Sequence, residues 1–174
     1  MLTHSAHYGD YRMKTQSRTA SGITWTLESE FVRFDLVSNG MTGAQWIEYL
    51  PTLGYAVVDT APEMLQSSLF IPTEAGTVHR VRLIRWSAFE DEKRTTGNIL
   101  QLGGVMSWRR PHPEIAPLMR AAFFDDEIKE MGLGEVATIH TPILGRVLDI
   151  DTGELESAPA YDMWHEGHGF AFEE

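Results

Sequence analysis

Two hydrophobic periods alternate irregularly along the 174 residues, and this mixture restricts the fold more than any single motif. A period of two marks a half-buried strand, and a period near 3.6 marks an amphipathic helix. From Ile23 to Val37 the chain is β-like: Ile23, Trp25 and Leu27 share one parity, Val32, Phe34 and Leu36 the other. Glu28-Ser29-Glu30 lies between them, so the stretch reads as two strands or one bent strand. Ser38-Asn39-Gly40 ends it as a turn. Thr42 then caps a helix with Trp46, Ile47 and Leu50 on one face, which Pro51 must kink or end before Gly54. Tyr55 to Asp59 is a short strand. Thr60-Ala-Pro-Glu63 reads as a capping box opening a helix over 62–70. Residues 77–86 alternate as a long strand, and Ser87-Ala-Phe-Glu90 reads as a second capping box for a helix reaching Gly103-Gly104. Helices follow at Pro113-Glu114, with Ile115, Leu118 and Met119 facing inward, and at Asp125-Asp126-Glu127, where acidic side chains suit the macrodipole. The remainder is β: Glu135 to His140, a hairpin over Val147 to Glu156 turning at Asp151-Thr-Gly153, and Gly169 to Phe172.

Five to seven strands and four or five helices that do not strictly alternate predict an α+β domain with a mixed sheet. The domain is expected over 23–174. Residues 1–22 are polar and without an apolar face, so they read as a mobile arm. With no cysteine, the fold must rest on its core, and thiolate nucleophiles and cysteine-ligated zinc are excluded. No apolar run is long enough to span a bilayer and the N-terminus lacks the apolar segment of a signal peptide, so a cytoplasmic protein is expected.

The net charge of −11 is unevenly placed. Residues 1–124 hold 12 acidic and 12 basic side chains, whereas 125–174 hold 13 acidic and 2 basic, Lys129 and Arg146. An acidic surface repels nucleic-acid phosphates and anionic membranes and favours basic partners. The basic series Arg80, Arg82 and Arg85 beside Trp86, with Trp108-Arg-Arg110, reads accordingly as a solvated strand face salt-bridged to the acidic half, not as a nucleic-acid patch.

No phosphate-cradling loop, dinucleotide fingerprint or nucleophile elbow is present. Asp149-Ile-Asp151-Thr-Gly153 begins like a calcium loop, but Ala160 stands where the bidentate Glu belongs. His165-Glu-Gly-His168 is one residue short of the zinc-protease spacing, and its glycines do not suit a helix. No metal and no cofactor are therefore expected.

What remains is a C-terminal cluster: His140, then Asp162, Trp164, His165, Glu166 and His168. Imidazole beside carboxylate can form an acid–base pair near neutral pH. The catalytic candidates are His140, Asp162 and His165, and the ligand-binding candidates are Trp108, Trp164, Glu166 and His168. In its strand His140 has parity opposite to Ala137 and Ile139. If those two face the core, His140 faces the acidic segment and its pKa is raised.

The stretches MTGAQWIEYL…GYAVVD, RTTGNILQLG, PHPEIAPLMR, GLGEVATIHTPI and GFAFEE, spanning residues 41–172, are similar to a group of short bacterial proteins. The shared pattern is a helix after Thr-Gly, a P-x-E-[IV]-A-x-L-[LM]-R helix, an M-H-E-P-I strand and a final G-F-A-F. This chain has Ile139 for the Met and Thr141 for the Glu, so a carboxylate beside His140 is missing. The resemblance implies a bacterial origin on a mobile gene cassette, and no activity attaches to the group.

The expected function is binding by a homo-oligomer, the partner being a small molecule or a basic protein. The alternative is a small enzyme, of the hydrolase class, with a His/carboxylate cleft near the C-terminus. A third reading is an acidic surface that mimics nucleic acid.

Overall fold

A computed structural model describes residues 14–17, 22–161 and 163–174. In chain order the elements are β1 (Lys14–Ser17), β2 (Thr24–Glu28), β3 (Phe31–Val37), α1 (Gly43–Thr52), β4 (Ala56–Val57), α2 (Ala61–Gln66), β5 (Val78–Arg85) and α3 (Thr96–Val105), then α4 (Ile115–Ala122), α5 (Asp125–Glu130), β6 (Glu135–Thr138), β7 (Arg146–Asp151), β8 (Glu154–Pro159) and β9 (His168–Glu173). All nine strands join one sheet, in the order β1-β2-β3-β5-β9-β6-β7-β8-β4. It is mixed: β6 runs parallel to β9 and β4 parallel to β8, while the other neighbours are antiparallel.

The α/β mixture matches expectation, but nine strands exceed the five to seven expected. Ser29, at φ 53°, turns the Ile23–Val37 stretch into two separate strands. β1 falls inside the segment read as an arm and pairs with β2. Its own residues carry no apolar alternation that would mark it. The rest of that segment, 1–13 and 18–21, lies outside the described residues.

Both faces of the sheet carry a core. On the first, Trp25, Phe34, Val81, Leu83, Val136, Ile150 and Leu155 meet Trp46, Leu50, Met64, Met119 and Phe123 from the helices. On the second, Ile84, Ala137, Val147, Phe170 and Phe172 meet Ile99 of α3 and Trp164. α3 lies against β9 so closely that any side chain at Gly103 would run into the Phe172 ring. Beyond Phe31 and Ile84, the second face of β3 and β5 is exposed at Arg33, Asp35 and Arg80, and Arg82 there is ion-paired with Glu174 of the acidic segment.

Thr42 caps α1 as expected, accepting from Gln45 N while the Gln45 side chain accepts from Thr42 N. The helix expected to open at Ser87 does not form there. Residues 86–88 and 91–93 make two single 3-10 turns, and α3 starts at Thr96 with Thr95 accepting from Asn98 N. Arg94 explains the delay. It is buried, with its guanidinium over the Trp86 ring at 4.9 Å and a hydrogen bond to Trp86 O, so the 86–94 segment folds back on itself.

Candidate functional site

Alternation along four neighbouring strands carries four titratable side chains to one place on the second face. His168 opens β9 with the parity of Phe170 and Phe172, and it stands opposite Glu135 of β6. Glu135 shares parity with Ala137, which stands opposite Asp149 of β7, which in turn stands opposite Glu156 of β8. The sheet order β9-β6-β7-β8 thus makes a row His168, Glu135, Asp149, Glu156. With Asp59, Met163, Trp164 and His165 this row lines a cleft of about 220 Å³.

His168 Nε2 donates to Glu135 Oε2 at 2.6 Å and lies 3.5 Å from Asp149 Oδ2. Trp164 fixes the ring from the side, with centroids 5.3 Å apart, and is itself anchored by its Nε1–H donating to Thr96 Oγ1 at 3.0 Å. Asp149 is 2% exposed, yet among the described residues its Oδ1 has no hydrogen-bond partner, and His168 Nδ1 has none either. A buried carboxylate oxygen left in that condition costs stability unless something neutralises it.

The electrostatics follow from crowding. Burial alone would lower the His168 pKa, but the hydrogen bonds and charges of Asp149 and Glu135 outweigh it and hold it up at about 10. The hydrogen bond from His168 pulls Glu135 below its ordinary value, whereas burial pushes Asp149 up. Glu156 is raised to about 7 by burial and then by Asp149, Asp151, Asp59 and Glu135. The cleft gathers four carboxylates, Asp59, Glu135, Asp149 and Glu156, against two imidazoles, His165 and His168. One imidazole nitrogen and two carboxylate oxygens, from His168, Glu135 and Asp149, lie within 4.8 Å of one another and could hold a metal ion.

The residues expected from sequence are only partly brought together. His168, His165 and Trp164 line the cleft. Glu166 is exposed in the turn before β9. Asp162 lies outside the described residues. Trp108 packs edge-on to Phe31 at 5.5 Å and beside Phe172 at 6.4 Å, at the end of β9 away from His168, as part of the second core. His140 requires a correction. It is fully buried: its Nδ1–H donates to Thr141 O at 2.7 Å and its Nε2 accepts from Leu148 N–H at 3.0 Å. Burial lowers its pKa to about 4, opposite to the raised value expected. The parity argument carried the strand through His140, but β6 ends at Thr138 and the His140 N–H turns back to donate to Thr138 O.

Sequence reasoning missed Glu135, Asp149 and Glu156 as a set, and also a second titratable cluster on the first face. There His79 is buried between Glu114, at 2.5 Å from Nε2, and Glu173, at 2.8 Å from Nδ1. Glu114 also accepts from Thr73 N, Thr73 Oγ1 and Ser38 Oγ, and Glu173 from His112 N, so every member is bonded. The cluster ties β5, β9, the start of α4 and two loops together. Its saturation marks it as a clasp.

Among the described residues no helix is long and apolar enough to cross a membrane. Comparison of the chain with protein families, curated proteins and solved structures finds no match in any of the three.

Proposed function

We propose that the protein acts by binding, and that the cleft between β6, β7, β8 and β9 holds a small positively charged ligand. The observation that carries this is Asp149 Oδ1, a buried carboxylate oxygen without a hydrogen-bond partner in a cleft ringed by Glu135, Glu156 and Asp59. A cation placed there would supply the missing partner and offset the mutual repulsion of the carboxylates. The test is amide chemical-shift mapping of the full chain with guanidinium, ethylenediamine, Zn²⁺ and Mn²⁺. Saturable shifts at β6, β7 and β9 that disappear in Asp149→Asn are the expected result. If none of these probes moves those amides at millimolar concentration, the reading is wrong.

A small enzyme is the second reading, and the 2.6 Å bond between His168 and Glu135 favours it as an acid–base pair of the required reach. In that case His168 and Glu135 replace His140 and Asp162 in the roles expected from sequence. We also propose self-association of this chain, supported by the exposed valines Val37 and Val78 on β3 and β5.

A further inference from the structure

We infer that the occupant of the cleft is a divalent transition-metal ion of the zinc and manganese class, ligated by Glu135, Asp149 and His168 Nε2; this rests on reading the cleft as a cation site. Three observations separate a metal from an organic cation.

The first is the donor set. One imidazole and two carboxylates suit zinc or manganese, whereas calcium and magnesium take oxygen ligands throughout. The second is spacing. Metal–ligand bonds of about 2.0–2.1 Å at tetrahedral angles put neighbouring ligand atoms roughly 3.3 Å apart. Nε2 lies 2.6 Å from Glu135 Oε2 and 3.5 Å from Asp149 Oδ2, and all three ligand atoms lie within 4.8 Å of one another, so an ion that expels the Nε2 proton needs only a rearrangement of Glu135 to gather them. Glu135 can make that rearrangement because its side chain is 38% exposed and sits at the first residue of its strand.

The third is the buried Asp149 Oδ1, which has no hydrogen-bond partner among the described residues, so the carboxylate whose Oδ2 faces His168 is left short of partners. The three ligands come from three adjacent strands, a rigid frame held by backbone pairing. Three protein ligands leave a coordination position open toward the cavity, where His165 and Glu156 stand. At roughly 30 Å³ per water, about 220 Å³ accommodates several waters or a small ligand there.

The experiment is calorimetric titration of the full chain with Zn²⁺ and with Mn²⁺, and visible absorption on adding Co²⁺. One equivalent should bind, with a Co²⁺ spectrum of low coordination number, and Glu135→Gln, Asp149→Asn and His168→Gln should each weaken binding by about tenfold or more. Should Asp149→Asn or His168→Gln fail to fold, Glu135→Gln alone carries the test, since its side chain is partly exposed. Uptake that survives Glu135→Gln unweakened overturns the inference, as does the absence of saturable uptake. If guanidinium or ethylenediamine shifts the cleft amides while no metal binds, the metal assignment falls and the cation reading stands. If nothing binds, both fall.

Discussion

What meets each ring nitrogen decides what a histidine can do, and three histidines of this chain show three outcomes. His140 has a backbone carbonyl on one nitrogen and a backbone N–H on the other, a pairing that only the neutral ring satisfies. We therefore expect its NMR titration midpoint at about 4, and a midpoint above 6.5 would show that the ring is charged in the fold. His79 has a carboxylate on each nitrogen, which only the doubly protonated ring satisfies. Burial opposes that charge, yet Glu114 and Glu173 raise the pKa from 6.5 to about 9. The stability it contributes is complete below pH 6.5, declines between 6.5 and 9, and is gone above. Glu114 is held down at about 2, burial notwithstanding, by His79 and Thr73, so the same ion pair is intact above pH 4.5 and fades toward 2. The stability difference between the parent and His79→Gln should thus be largest between pH 4.5 and 6.5. It should shrink by about 3 kcal/mol toward pH 9. A difference constant across that range in denaturant titrations would mean that the ring is neutral. His168 has two carboxylates, Glu135 and Asp149, on the one nitrogen Nε2, and its buried Nδ1 has no partner among the described residues.

At the scale of elements, alternation was a sound guide to faces and a poor one to neighbours. The parities of His168 with Phe170, of Glu135 with Ala137 and of Asp149 with Val147 are all readable from the chain, and each places a polar group on the second face. That the three become adjacent depends on β6 inserting between β9 and β7, parallel to one and antiparallel to the other. Pairings this distant leave no local mark, so Asp149 looked like part of a hairpin turn and Glu135 like an ordinary strand start. The failed helix start at Ser87 has a local lesson as well. A capping box specifies a helix only where the following residues are free to wind, and buried Arg94 draws 86–94 into 3-10 turns. Capping geometry also separates two threonines that look alike in sequence. Thr95 accepts from Asn98 N, while Thr60 makes no capping hydrogen bond. Thr95→Ala should cost about 1 kcal/mol, and Thr60→Ala should cost much less when both are measured by denaturant unfolding. Equal losses would mean that the cap at Thr95 contributes nothing.

Across the whole molecule, the uneven charge acquires a spatial form. Residues 125–174, which hold the entire net charge of −11, supply α5 and the contiguous strands β9, β6, β7 and β8. The half of the sheet made by β1, β2, β3 and β5 comes from the charge-balanced part of the chain. Two copies meeting through their acidic halves would repel each other, whereas the balanced halves face no such penalty. On the balanced half Val37 and Val78 stand opposite each other across β3 and β5, 58% and 54% exposed, on a face that no helix of the described residues covers. A two-fold axis there would bring like patch to like patch, which is the usual form of a symmetric dimer. We therefore expect light scattering at high micromolar concentration to give twice the chain mass of 19.6 kDa. The double substitution Val37→Lys/Val78→Lys puts charges on the axis and should return the mass to 19.6 kDa with the cleft still able to take up its cation. A parent protein that scatters as 19.6 kDa throughout would refute self-association, and a dimer indifferent to both lysines would move the contact elsewhere on the sheet.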